Sequence, residues 1–207
     1  MNRLHIAIVT DAWAPQINGV VRTLVTLADV LRGWGHMVTV ISPDQFRSLP
    51  CPSYPEIRLA LTRPGAVGAW LDRLAPDAIH IATEGPLGLA ARRHCLRKGQ
   101  SFTTAYHTQF PDYLARRTHL PAAAFWPYIR WFHRPSAGIM VATESVRSQL
   151  REQGLSRLRS WSRGVDLAHF TPTIAPPDLF WDLPRPIQLY VGRVSVEKNI
   201  EAFLANP

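Results

Sequence analysis

Residues 4–41 read LHIAIVTDAWAPQINGVVRTLVTLADVLRGWGHMVTVI, and this stretch decides the fold. Residues 4–10 form an apolar run of strand length that ends in a polar loop, the pattern of a strand buried on both faces. Over residues 20–34 the period changes, and Val20, Leu24, Leu27, Ala28 and Leu31 fall on one face of a helix. Gly35 stands where a helix C-cap accepts a left-handed backbone, and residues 37–41 open a second apolar, β-branched run. Strand, helix and strand in this order make one βαβ unit.

The alternation continues along the chain. Residues 57–60, 78–82, 102–106 and 138–142 read as further strands, with helices over 67–74, 87–98, 122–133 and 145–153 and a last strand at 158–162. This pattern predicts a Rossmann-like α/β domain over residues 1–162, a parallel sheet with helices on both faces. Pro172, Pro176, Pro177, Pro184 and Pro186 then crowd a segment that resists regular structure, so residues 163–186 read as an interdomain crossing. Residues 187–191 read as a strand and 197–204 as a helix, the start of a second α/β domain over 187–207 that is incomplete within the chain.

With 207 residues, 46% of them hydrophobic, the chain can bury a substantial core. The apolar run after Met1, Asn2 and Arg3 is too short for a secretory signal, and no later run approaches membrane-spanning length, so the expected location is the cytoplasm. Cys51 and Cys95 match no C-x-x-C spacing and fit two unpaired buried thiols. The net charge of +8 is concentrated: residues 90–159 hold twelve Lys or Arg against three Asp or Glu, an excess of +9. No zinc, RNP or basic-tail signature accompanies it, which argues against nucleic acid and for an anionic small molecule or an anionic membrane surface.

Ligands of open parallel sheets bind beyond the carboxyl ends of the strands. The first such loop, residues 11–19, has neither G-x-G-x-x-G nor a phosphate-loop motif, which disfavours an ordinary NAD enzyme or P-loop NTPase. Asn18 and Gly19 open the following helix. They suit either a phosphate approaching the helix N-terminus or a plain turn and N-cap. His107 follows the strand at 102–106 and reads either as a hydrogen-bonding group near neutral pH or as a structural histidine. Glu84 faces the same crevice, to bind a polar acceptor or to cap the next helix.

Arg193 and Lys198 lie five residues apart after a strand and the turn at Gly192, with Asn199 beside them. A turn there can aim both cations at one diphosphate, and a solvated surface pair has the same spacing. No D-x-D metal-binding pair occurs, so fixed cations rather than Mg²⁺ are expected to meet a leaving diphosphate. Arg116, Arg117, Arg130 and Arg134 interleave with Phe125, Trp126, Tyr128, Trp131 and Phe132. That mixture suits a membrane interface, through Arg116, Arg117, Trp126, Arg130 and Trp131, or an amphipathic helix that packs its rings inward.

Five stretches together carry a resemblance: TDAWAPQINGVVRT (10–23), ATEGPLG (82–88), YHTQFPDY (106–113), SRGVDLAHF (162–170) and VGRVSVEKN (191–199). The chain resembles retaining glycosyltransferases of family 4, which have the GT-B fold, and is most similar to mannosyl- and glucosyltransferases that build glycolipids or other glycoconjugates. The resemblance implies transfer of a hexose from GDP-mannose or UDP-glucose to a lipid or glycan acceptor, with retention and without metal or other cofactor. It implies donor contacts at Asn18, Gly19, Arg193 and Lys198, a catalytic role for His107 in orienting the donor sugar, and acceptor contacts at Glu84 and Thr108. A lipid acceptor would bring the protein to the inner membrane face as a peripheral protein. The family's second domain carries an E-x7-E motif that lies beyond this sequence. A non-catalytic remnant that binds a membrane, a glycan or a partner is therefore the alternative reading.

Overall fold

In a computed structural model, residues 2–51, 54–63, 65–107, 110–118, 120–174, 182–192, 194 and 199–205 are described; the side chains of 51, 54–57, 113, 116 and 117 are not among them. The opening unit forms as strand β1 (His5–Val9), helix α1 (Gly19–Gly33) and strand β2 (Met37–Ile41). Helix α1 begins because the Asn18 carboxamide accepts the amides of Val20 and Val21, both at 3.0 Å. It ends where Gly35 takes φ of 87°, a conformation that suits glycine.

The chain continues through β3 (Ser48–Cys51), β4 (Tyr54–Ala60), α2 (Ala66–Leu74), β5 (Ala78–Ile81), α3 (Pro86–Lys98) and β6 (Thr103–Tyr106). It goes on to α4 (Phe110–Thr118), α5 (Trp126–His133), β7 (Gly138–Val141), α6 (Glu144–Glu152) and β8 (Leu158–Ser160), and later to the short α7 (Ile200–Leu204). Six strands form one parallel sheet in the order β2-β1-β5-β6-β7-β8. The order reverses between β1 and β5, which sets a crevice at their carboxyl ends.

Side-chain alternation along the strands builds two cores. Ala7, Val9, Ile79 and Ile81 pack with Val67 and Leu71 of α2, Leu87, Ala91 and Cys95 of α3, and Phe132 of α5. On the same face Tyr106, Ile139 and Val141 meet Trp126 and Ile129 of α5 and Leu150 of α6. The opposite face is covered by α1, whose Leu24 and Ala28 pack with Ile8 and Val38. A fully buried leucine such as Leu24 contributes about 1.5–3 kcal/mol by leaving water.

Three differences from the sequence reading have local causes. The run at 57–60 belongs to β4, which pairs antiparallel with β3 rather than joining the main sheet. The connection from β2 to β3 is far shorter than a crossover, and only two residues separate β3 from β4 in sequence, which suits an antiparallel hairpin. The helix expected over 122–133 is split: a 3₁₀ turn, Ala122–Phe125, precedes α5, and Pro127 lies in the first turn of α5, where its missing N–H costs nothing. Residues 187–191 form no strand, and Leu189, Val191 and Val194 are 61%, 83% and 90% exposed, so this apolar run lacks the burial that a core strand needs.

Candidate functional site

The crevice is assembled around Asp11, the second residue after β1. Its carboxylate accepts the amide of Leu87 at 2.8 Å, the amide of Gly88 at 3.4 Å and the hydroxyl of Thr83 at 2.8 Å. The Asp11 amide donates back to Thr83 Oγ1 at 2.7 Å. Asp11 thus caps α3 from another strand and locks the β1 and β5 loops together. Burial pushes its carboxyl above the ordinary carboxylate range, against the pull of the Leu87, Thr83 and Gly88 hydrogen bonds. Gly85 allows the approach, since a Cβ there would lie 2.5 Å from Asp11 Cγ.

Glu84 does not cap α3, and that alternative is corrected: Asp11 already occupies the helix N-terminus. Glu84 turns instead toward α5, where its Oε1 lies 3.2 Å from Nε2 of the buried His133. His133 Nδ1 pairs with Thr104 Oγ1 at 2.9 Å, and the Tyr128 hydroxyl donates to the Glu84 carbonyl.

In the first loop, the Asn18 side chain is engaged as the N-cap and also donates to Gln16 Oε1 at 3.2 Å. The space in front of Gly19 is open, with nothing within 4 Å of a Cβ built there, and the first turn of α1 carries no acidic residue. The capping and anion-approach readings of this pair are therefore compatible.

His107 sits at the carboxyl end of β6 with its ring 5.5 Å from the ring of Trp161, and His80 touches the same indole at 5.9 Å. Burial, the Arg163 guanidinium and His80, in that order, depress the His107 imidazole to about 3. Burial alone takes His80 to about 4. Both rings are neutral near pH 7, so His107 can offer hydrogen bonds there but no positive charge. Its Nε2 is buried without a partner among the described residues. Arg163 donates to the His107 carbonyl at 3.4 Å, and a cleft of about 450 Å³ opens between His107, Thr143, Val146, Ser162 and Arg163. The segment after β8 continues across to α1, where Phe170 lies under the Arg22 guanidinium at 5.5 Å.

The glycosyltransferase family 4 model matches residues 17–169, from the end of the first loop into the crossing segment. The chain belongs to glycosyltransferase family 4. The sheet is the Rossmann-like N-terminal half of the GT-B fold that family 4 implies. A GDP-mannose-dependent alpha-mannosyltransferase of Mycobacterium tuberculosis is 27% identical over 96% of this chain and 58% of its own length. The protein of that name in Mycolicibacterium smegmatis is 26% identical, with the same two shares. An alpha-monoglucosyldiacylglycerol synthase of Streptococcus pneumoniae is 24% identical over 97% of this chain and 51% of its own length. The chain spans a little over half the length of these relatives.

Among the expected site residues, the structure brings Asn18, Gly19, Glu84 and His107 to the carboxyl end of the sheet. Thr108, Arg193 and Lys198 lie outside the described residues. Arg116 and Arg117 lie on α4, with side chains outside the described set. Arg130 and Trp131 are exposed on α5. Trp126 is corrected: it is 7% exposed and stacks on Tyr106 in the core, so its ring cannot reach a membrane. Sequence reasoning gave no role to Asp11, Thr83 or Trp161. The one available signal for Asp11 was its place directly after a strand at the crevice.

Proposed function

We propose that the protein takes part in glycosyl transfer, moving a mannose or glucose from a nucleotide-diphosphate sugar to a lipid or glycan acceptor with retention. The observation that carries the reading is His107, held neutral at the carboxyl end of β6 beside an open cleft, within a family 4 match. A neutral imidazole can orient a sugar hydroxyl by hydrogen bonding and has no nucleophilic step to perform. In the proposed transfer the bond from the anomeric carbon to the diphosphate breaks, and the acceptor oxygen bonds on the same face. The acceptor proton passes to the leaving phosphate.

Arg193 and Lys198 would balance the diphosphate charge without a metal, with the open backbone at Gly19 facing the phosphates. Glu84 and Thr108 would stand on the acceptor side. The mannosyltransferase relatives support GDP-mannose as donor, and the alpha-monoglucosyldiacylglycerol synthase supports a lipid acceptor and a glucosyl group. Among the described residues no helix is long and apolar enough to cross a membrane. Peripheral contact at the cytoplasmic face, with Arg130 and Trp131 available for it, fits a lipid acceptor.

The test is nucleoside diphosphate release by the complete protein from GDP-mannose or UDP-glucose, with and without a diacylglycerol-type lipid. Acceptor-dependent release from one donor that is lost in His107→Ala supports the reading. Release from neither donor, with any lipid or glycan acceptor offered, overturns it.

A further inference from the structure

The +9 excess of residues 90–159 is not used by the crevice, and half of its cations converge elsewhere. Arg92, Arg130 and Arg134 line a cavity of about 610 Å³ between α3, α5 and the end of α6. Arg147, Arg151 and Arg157 line a second cavity of about 530 Å³, and the two share Gly154 and Leu155 as a common wall. Gly154 and Leu155 precede β8, and Arg134 and Pro135 precede β7, so the shared part of the groove opens at the amino ends of the strands, while Arg147 reaches Ser160 Oγ at the far end of β8 at 3.0 Å. His107, Thr143 and Ser162 lie at their carboxyl ends, the other side of the sheet.

The groove is built rather than incidental. Arg92 is 7% exposed, and its guanidinium lies 3.8 Å above the Trp131 ring while donating to the carbonyls of Trp131 at 2.6 Å and Phe132 at 3.0 Å. Those bonds fix a planar cation on one wall without side-chain entropy left to lose. Arg130 reaches across to Gln153 Oε1 at 3.4 Å, and Arg157 is held by the Ser136 carbonyl at 3.0 Å. Glu144 compensates Arg147 and Arg151 at 3.3 and 2.9 Å, from outside the lining. Among the described residues, neither cavity is lined by a carboxylate. With Arg147 and Arg151 paired to Glu144, Arg92, Arg130, Arg134 and Arg157 have no carboxylate partner among the described residues, and an anion with more than one charged group would offset several of them at once. Guanidinium forks match phosphate oxygens in geometry as well as charge.

We propose that this groove binds a ligand carrying two or more phosphate groups. The site is separate from the transfer crevice, and its occupation does not depend on glycosyl transfer taking place.

The test uses the 207-residue chain with inorganic tripolyphosphate as probe, read by titration calorimetry and by tryptophan fluorescence at low and moderate salt. One tripolyphosphate per chain is expected, with binding that weakens as salt rises and a fluorescence change that disappears in Trp131→Phe. The exposed pair Arg130→Ala/Arg134→Ala should bind at least tenfold more weakly. The equally charged control Arg3→Ala/Arg63→Ala should stay within twofold of the parent. Absence of saturable binding at low salt, or an equal loss in both double variants, overturns the proposal. A second arm offers vesicles of cardiolipin, whose headgroup carries two phosphates, in phosphatidylcholine. Competition between vesicles and tripolyphosphate for the same arginines assigns the phosphates to a headgroup. Tripolyphosphate binding that vesicles do not displace assigns them to a soluble ligand.

Discussion

The imidazole of His133 and the carboxylate of Glu84 meet inside the domain, Nε2 to Oε1 at 3.2 Å, with His133 fully buried and Glu84 13% exposed. This contact ties the loop after β5 to α5, and Thr104 closes the other side of the ring. Removing the carboxylate leaves a buried ring nitrogen without a partner, which costs about 1–3 kcal/mol. Glu84→Ala is therefore expected to lower unfolding stability by that amount in urea. His133→Phe/Glu84→Ala should lose less than the sum of the single changes. Additive losses would mean that the two side chains do not act as a pair.

Two glycines set the spacing of the same corner. A Cβ on Gly88 would lie 1.9 Å from the Thr83 carbonyl oxygen, a backbone atom that cannot turn aside. A Cβ on Gly85 would lie 2.5 Å from Asp11 Cγ. Gly88→Ala should cost at least the 1–3 kcal/mol typical of overpacking. Gly85→Ala should cost less in an Asp11→Ala background, because the colliding carboxylate is gone. Thermal unfolding of the three variants separates these outcomes; a Gly88→Ala protein that melts with the parent would contradict the close approach.

Acid should destabilise the domain through His80 and His107. In the unfolded chain each imidazole protonates near 6.5, whereas His80 and His107 are held at about 4 and about 3 in the fold. The unfolded state therefore takes up protons first as pH falls. The contribution is complete above pH 6.5 and is lost progressively toward pH 4 for His80 and pH 3 for His107. At pH 5 the loss is about 2 kcal/mol for each ring, at 1.36 kcal/mol per pH unit. Urea midpoints at pH 7.5 and 5.0 measure it, and His80→Gln should flatten the difference. Equal midpoints at the two pH values would remove the buried-imidazole account.

Local pattern carried the reading where the partners are close in sequence. The strand at 37–41 forms at those residues, and the helix read over 20–34 is Gly19–Gly33, because period, cap and glycine stop all lie inside one window. Asp11 was opaque for the opposite reason: the Leu87 amide that it accepts is 76 residues away, and a lone aspartate after a strand looks the same with or without that partner. Helix α4 is not among the helices that periodicity picks out, although Pro111 and Asp112 suit a helix's first turn. Trp126 and Trp131 share one helix and the same aromatic-basic composition. Only the packing of α5 against Tyr106 decides that the first is core and the second is surface.

The donor-side expectation rests on charge and can be tested in the complete protein. A departing diphosphate gains negative charge as the sugar leaves, so a fixed cation beside it is worth more in the transition state than in the bound ground state. Arg193→Ala and Lys198→Ala should each lower kcat by roughly 10²–10³-fold, about 3 kcal/mol, with a smaller effect on KM. Arg193→Lys should recover only part of this, since an ammonium cannot offer the paired donors of a guanidinium. His107→Ala, which removes a neutral hydrogen-bonding group, should depress turnover without altering how kcat depends on pH between 6 and 8, because a ring held at about 3 does not titrate there. Steady-state kinetics on the four variants decides the matter. Turnover unchanged in both cation-to-alanine variants would leave the turn after Gly192 as an ordinary surface loop and send the search for the diphosphate site elsewhere.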